Sequence, residues 1–184
     1  MFFKLKWFFS ALLLKLFCKE LKMPSYFSFP VFFKGLNKVS IGKKVRIFPG
    51  ARFEVHGEGT ITIGDNVGIG QNFHITSMGN LIIGCNTTIT GNVCVSNIIH
   101  SYNDVNKSIL SQPLIEKETI IGESCFIGFG AVILPGSKLG NYCVVGANSV
   151  VNGIFPDFSV IAGNPARLIK KYNFETESWV RVDD

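Results

Sequence analysis

Large aliphatic residues recur every six positions along most of this chain. From the middle onward the blocks open on Ile121, Ile127, Ile133, Leu139, Val145 and Val151. Their fifth places are small, held by Cys125, Ala131, Ser137, Cys143 and Ser149, until Phe155. Upstream, Ile41, Ile47 and Phe53 form one set; Ile63, Ile69 and Ile75 a second; Ile83, Ile89 and Val95 a third. One large and one small inward position at a fixed period predict short strands wound into a stacked coil. Three strands make a turn, and about five turns are expected, each burying its apolar residues against the next.

Polar and glycine positions agree with the coil. The first member of each set is followed by glycine: Gly42, Gly64, Gly84, Gly122 and Gly140. The fourth place of a block is Gly or Asn at positions 50, 66, 72, 86, 92, 130, 136 and 148. Both tolerate the positive φ that a sharp corner needs. Extra residues fall only between the third and first columns: four after the first set, two after the second and twenty after the third. A sandwich with Gly and Asn turns would not repeat in sixes.

Residues 39–171 resemble the hexapeptide-repeat acyltransferases, and within them the sugar and polysaccharide O-acetyltransferases. The resemblance implies an all-β, left-handed parallel β-helix, acetyl-CoA as acyl donor, and homotrimers with the site between neighbouring coils. A catalytic His in that family stands five residues after a third-column aliphatic, just before a long loop. Val95 and His100 reproduce that spacing, and residues 101–120 form the loop. By the same resemblance, Phe126 and Ala147 line the cofactor and the Phe129 backbone N–H stabilises an oxyanion. The run Gly163-Asn164-Pro165-Ala166-Arg167 matches the family's closing segment, where the chain leaves the coil for a short helix. Arg167, Lys170 and Lys171 are then expected near the CoA phosphates. Asn152-Gly153 stands where sugar acetyltransferases carry Thr-Lys, so those three must compensate for a missing Lys. Asn72, His74 and Asp104 are candidate acceptor contacts, with Asp104 or Glu116 as partners for His100. His56 reads as a solvated loop residue.

The chemistry implied is direct acetyl transfer to a hydroxyl. An alcohol needs a base to take its proton as it attacks, and a neutral imidazole suits that role. No metal is expected. The chain's three His lack the paired spacing of the zinc-dependent carbonic anhydrases that share this coil. A non-catalytic scaffold would leave His100 and the basic closing segment without a role. An amino-sugar N-acetyltransferase acting on a nucleotide sugar could use the same base and is the alternative function.

Charge and composition add three points. A net charge of +5 suggests an anionic partner, though no aromatic-and-basic nucleic-acid motif appears. Five cysteines at 18, 85, 94, 125 and 143 show no metal spacing; Cys125 and Cys143 read as reduced core thiols of a cytoplasmic protein. Residues 1–38 read as a helix ending at Pro24, followed by an irregular cap, ahead of the coil over 39–163 and a tail over 164–184. The apolar run from Trp7 to Leu14 is too short to span a membrane. Its lysines suit a helix lying on the cytoplasmic face of a membrane; capping the coil's open end is the other reading.

Overall fold

The computed structural model describes residues 2–182. The chain winds as a parallel β-solenoid of about seven turns, with an N-terminal helix against its first turns. Face one stacks Glu20–Leu21, Val39–Ile41, Thr60–Ile63, Asn80–Ile83, Thr119–Ile121, Lys138–Leu139 and Ile154–Phe155. Face two stacks Tyr26–Phe27, Arg46–Ile47, Gly68–Ile69, Thr88–Ile89, Phe126–Ile127, Val144–Val145 and Ser159–Gly163. Face three stacks Phe32–Lys34, Arg52–Val55, His74–Ser77, Cys94–Ser96, Val132–Ile133 and Val150–Val151.

The register follows the six-residue columns. Ile47, Ile69, Ile89, Ile127, Val145 and Ile161 lie one above another on face two, all buried. The small fifth places are buried as well, among them Cys125, Ala131, Ser137, Cys143 and Ser149. Large and small inward residues thus interleave, which packs the narrow core between the three faces. All five cysteines are free.

Every Gly or Asn picked out at a fourth place has positive φ. The same conformation appears at Lys44, Ser124 and Tyr142, the fourth places of their own blocks. Asparagine does more than bend the chain: Asn66 donates to Asn86 at 3.0 Å and Asn72 to Asn92 at 2.9 Å, a ladder up two corners.

Two turns exceed the expected five. Leu21, Phe27 and Phe33 pair with Ile41, Ile47 and Phe53, so the expected end of the helix and the expected irregular cap together form a first turn. At the other end Phe155 lies beside Leu139, and Ile161 beside Val145. The corner after Val151 is two residues short, which moves Phe155 from a fifth place to the head of a seventh turn.

Both termini depart from expectation. The helix spans Phe2–Leu14 and stops well before Pro24. Beyond it, the Lys19 N–H donates to Leu36 and the Lys22 N–H to Ile41. The open edge of the coil offers ladder partners there, and pairing with them displaces further helix. Ala11 and Leu14 are buried over the first turn. The expected C-terminal helix is absent: Ala166–Asn173 runs antiparallel to Ser159–Gly163, and Ser178–Arg181 pairs outside it. Leu168, Ile169 and Tyr172 favour a strand, and the last edge of face two was unpaired without it. Among the described residues, no helix is long and apolar enough to cross a membrane.

Candidate active site

His100 stands where the third face turns toward the first. It ends the strand Ile98–His100, which pairs antiparallel with Leu114–Glu116, His100 lying opposite Leu114. Residues 98–116 therefore leave the coil as a two-stranded arm with an exposed tip, and His100 sits exposed where its first strand gives way to the tip; Thr119 and Ile120, expected in the loop, lie in the ladder of face one. Asn97, buried at its root, ties it down: its side-chain oxygen accepts from the Met78 N–H at 2.9 Å and its amide donates to Ser77 at 3.2 Å.

Gln112 organises the tip, a role that sequence reasoning missed. Its buried amide nitrogen donates to the carbonyls of Asp104 (3.0 Å) and Lys107 (3.3 Å), and its oxygen accepts from the Asp104 N–H at 3.1 Å. The only signal was its place beside Pro113, a polar residue where the strand begins again.

Neither proposed acid reaches His100. The Asp104 carboxylate accepts from the Asn106 N–H at 3.0 Å and pairs with Lys107 at 2.9 Å. Lys107 first, then the Asn106 N–H, hold its carboxyl below the ordinary value. Glu116 lies over Gly79, where an added Cβ would come within 2.5 Å of its oxygen. Among the described residues, no side chain hydrogen-bonds the His100 ring.

His74 lies lower on face three, facing outward. Its Nε2 is 3.0 Å from the Thr76 hydroxyl and 3.5 Å from Glu54. Glu54 also meets His56 at 3.5 Å and is hydrogen-bonded by Arg52, which holds its carboxyl below the ordinary value. His56 is therefore paired rather than freely solvated. Reading down the stacked columns could have found this group, since Arg52 lies beside His74 in register. Asn72 belongs to the far corner of the same face, within the asparagine ladder.

The expected cofactor residues gather elsewhere, around face two and its junction with face three. Phe126, Val144 and Val160 form one outward row, and Lys170 pairs with Val160. A register shift at Val160/Ile161 lets Arg167, opposite Ala162, share that outward surface with Lys170. Lys171 pairs with buried Ser159 and is set on the other side of the strand. Phe129 stands exposed at the corner, its ring over Gly91, where an added Cβ would lie 3.2 Å away. Its carbonyl accepts from the Asn148 N–H at 2.8 Å, while among the described residues its own N–H donates to none. Ala147 is exposed one turn on. On the turn that carries His100, this corner falls at Gly91. The strand Cys94–Ser96 lies between that corner and Asn97, so His100 and the expected cofactor residues flank opposite ends of face three. Among the described residues, no cluster of side chains could hold a metal ion.

A family profile described as Bacterial transferase hexapeptide (six repeats) matches residues 118–153. The putative lipopolysaccharide biosynthesis O-acetyl transferase WbbJ of Escherichia coli is 34% identical over 163 residues, covering 84% of this chain and 82% of that protein. The chain belongs to the hexapeptide-repeat acetyltransferase family. The putative colanic acid biosynthesis acetyltransferase WcaF of Escherichia coli is another member, 29% identical over 74% of this chain and 71% of its own length. Among solved structures, AntD, an N-acyltransferase from Bacillus cereus in complex with dTDP and 3-hydroxybutyryl-CoA, superposes with a TM-score of 0.77 at 19% identity. It covers 89% of this chain and 88% of that one. At that identity the likeness is one of fold. As a member of this family the chain is an acetyltransferase.

Proposed function

We propose that this acetyltransferase moves an acetyl group from acetyl-CoA to a sugar hydroxyl of a cell-envelope polysaccharide or its lipid-linked precursor. The likeness to WbbJ, a putative lipopolysaccharide O-acetyl transferase, over most of both chains carries this reading. The exposed His100 on its anchored arm fits a general base that must meet a large acceptor. The acceptor oxygen attacks the thioester carbonyl while the His100 imidazole takes its proton. The Phe129 N–H receives the developing oxyanion, and the tetrahedral adduct collapses with release of CoA thiolate, to which the imidazolium returns the proton. Arg167 and Lys170 lie on the same outward surface as Phe126, three strands along, to receive the cofactor's phosphates. Asn72, His74 and Asp104 are candidate acceptor contacts, His74 by way of the outward surface of face three.

The separation of His100 from the cofactor group supports a shared site. In a homotrimer of left-handed coils, the arm of one subunit would lie over the cofactor surface of the next. The N-terminal end supports a location at the cytoplasmic face of the inner membrane: Phe9, Leu12, Leu13 and Leu16 are exposed there among five lysines and one glutamate within residues 1–23.

Thiol release from acetyl-CoA, with a panel of glycan and amino-sugar acceptors, tests the reading. Release should depend on a hydroxyl acceptor and fall by about 100-fold or more in His100→Ala. Release that depends only on an amino sugar would replace this reading with N-acetylation, and release indifferent to His100 would remove its role.

A further inference from the structure

One cleft is used by none of this chemistry. It lies between the first two turns of the N-terminal helix and face two, with a volume of about 630 Å³. That is within the size range of small-molecule sites, roughly 300–1,000 Å³. Its wall is aromatic: Phe3 meets Trp7 at 5.2 Å and Trp7 meets Phe48 at 5.0 Å, both edge to face. Part of its floor is bare backbone at Gly68, where an added Cβ would meet nothing within 4 Å.

Its charge is of one sign. Lys4, Lys44 and Arg46 line it and no carboxylate does. Among the described residues, none of the three forms a salt bridge; Arg46 donates to the Asn66 side chain at 3.3 Å. Three cations around one low-dielectric cleft focus a positive potential that an anion would relieve. Trp7 also lines an adjoining groove with Phe9, Leu13 and Phe29, so apolar surface continues past the cleft on the other flank of Trp7. A ligand that satisfies both features carries a phosphate at one end and a hydrocarbon chain at the other. A nucleotide would satisfy the cations but leave the apolar run uncovered.

We propose that this cleft binds the phosphate end of a lipid phosphate ester, with Lys44 and Arg46 on the phosphate and the Phe3–Trp7–Phe48 wall on the first carbons of the chain. Its purpose rests on the acceptor reading above: it would hold the anchor of a lipid-linked sugar, and it selects that precursor over the finished polymer.

Trp7 reports on the cleft directly. In full-length protein carrying Trp179→Phe, its emission is followed while dodecyl phosphate is added below its micelle concentration. A saturable blue shift is expected. Dodecanol, inorganic phosphate and uridine monophosphate should each bind at least about tenfold more weakly, the worth of a charge-assisted contact or of the chain. The double variant Lys44→Asn, Arg46→Gln should lose at least about tenfold in affinity while melting as the parent does. Asparagine suits position 44, where φ is +60°. Equal binding of dodecanol or uridine monophosphate, or unchanged affinity in the double variant, would overturn the site. Acetyl transfer to soluble sugars, measured on the same preparation, separates the two ideas. Transfer without dodecyl phosphate binding removes the site and keeps the transferase; binding without transfer to any acceptor keeps the site and removes the purpose given to it.

Discussion

Glycine and asparagine at the corners were legible because left-handed backbone is costly for other residues; Lys44, Ser124 and Tyr142 were not, because the stacked turns above and below impose the same bend on them. The closest approaches of backbone to backbone are at glycines with ordinary φ. A Cβ on Gly122 would lie 2.5 Å from the Gly140 carbonyl oxygen, and both backbones are fixed in ladders. Gly122→Ala should cost about 1–3 kcal/mol, read as a lowered denaturation midpoint with unchanged slope. That His100 would stand where the long arm begins was legible from its distance along the chain from Val95. The role of Gln112 was not, since its partners meet it only once the arm folds back; the Glu54 group was readable from Arg52 and His56 along its strand and from His74 across the stacked columns. Glu54 carries a pH prediction. Arg52 depresses its carboxyl in the folded protein. Its contribution is therefore present above the unfolded value of about 4.3 and is lost as pH falls through the lower folded value. The melting temperatures of wild type and Glu54→Gln should differ at pH 6 and converge as the pH falls through the folded value. A constant gap would remove the ionised carboxylate from the account.

The strands of the middle turns were readable in full, because a six-residue period leaves one way to bury the aliphatic column. The elements at both ends were misread for a common reason: there the period competes with an unpaired edge. Leu21, Phe27 and Phe33 keep the spacing, but no glycine follows them and aromatic neighbours hide the pattern. The segment after Pro165 matched a helical closing segment, yet the exposed edge of face two drew it into a strand. The N-terminal helix contributes through its buried side. Leu14 lies against the first turn, and Leu14→Ala should cost about 2–5 kcal/mol in chemical denaturation. A smaller loss would mean that the helix only rests there. The arm depends on Gln112 in a different way. Gln112→Ala should leave the melting temperature within about 2 °C while loosening residues 101–113, seen as faster amide exchange confined to that span.

Across the molecule, contacts run from each turn to the next, so stability adds along the axis and each end needs its own cover. The helix supplies it at one end. At the other, Tyr142 stacks on Phe158 at 5.0 Å, and Tyr172 and Phe174 extend that cluster around the terminal strands. The shared site makes a sharper claim on assembly. Mixed trimers of His100→Ala with an Arg167→Ala, Lys170→Ala subunit should regain activity that neither parent has, because some interfaces would then join two intact halves. No recovery would place the whole site within one coil. The arm that carries His100 leaves the coil and returns to it through a short antiparallel base, Ile98–His100 against Leu114–Glu116, without disturbing any ladder. The arm is thus a removable module on a fixed chassis. On the function proposed above, exchanging it between relatives should change which acceptor is modified while the stack of turns stays as it is.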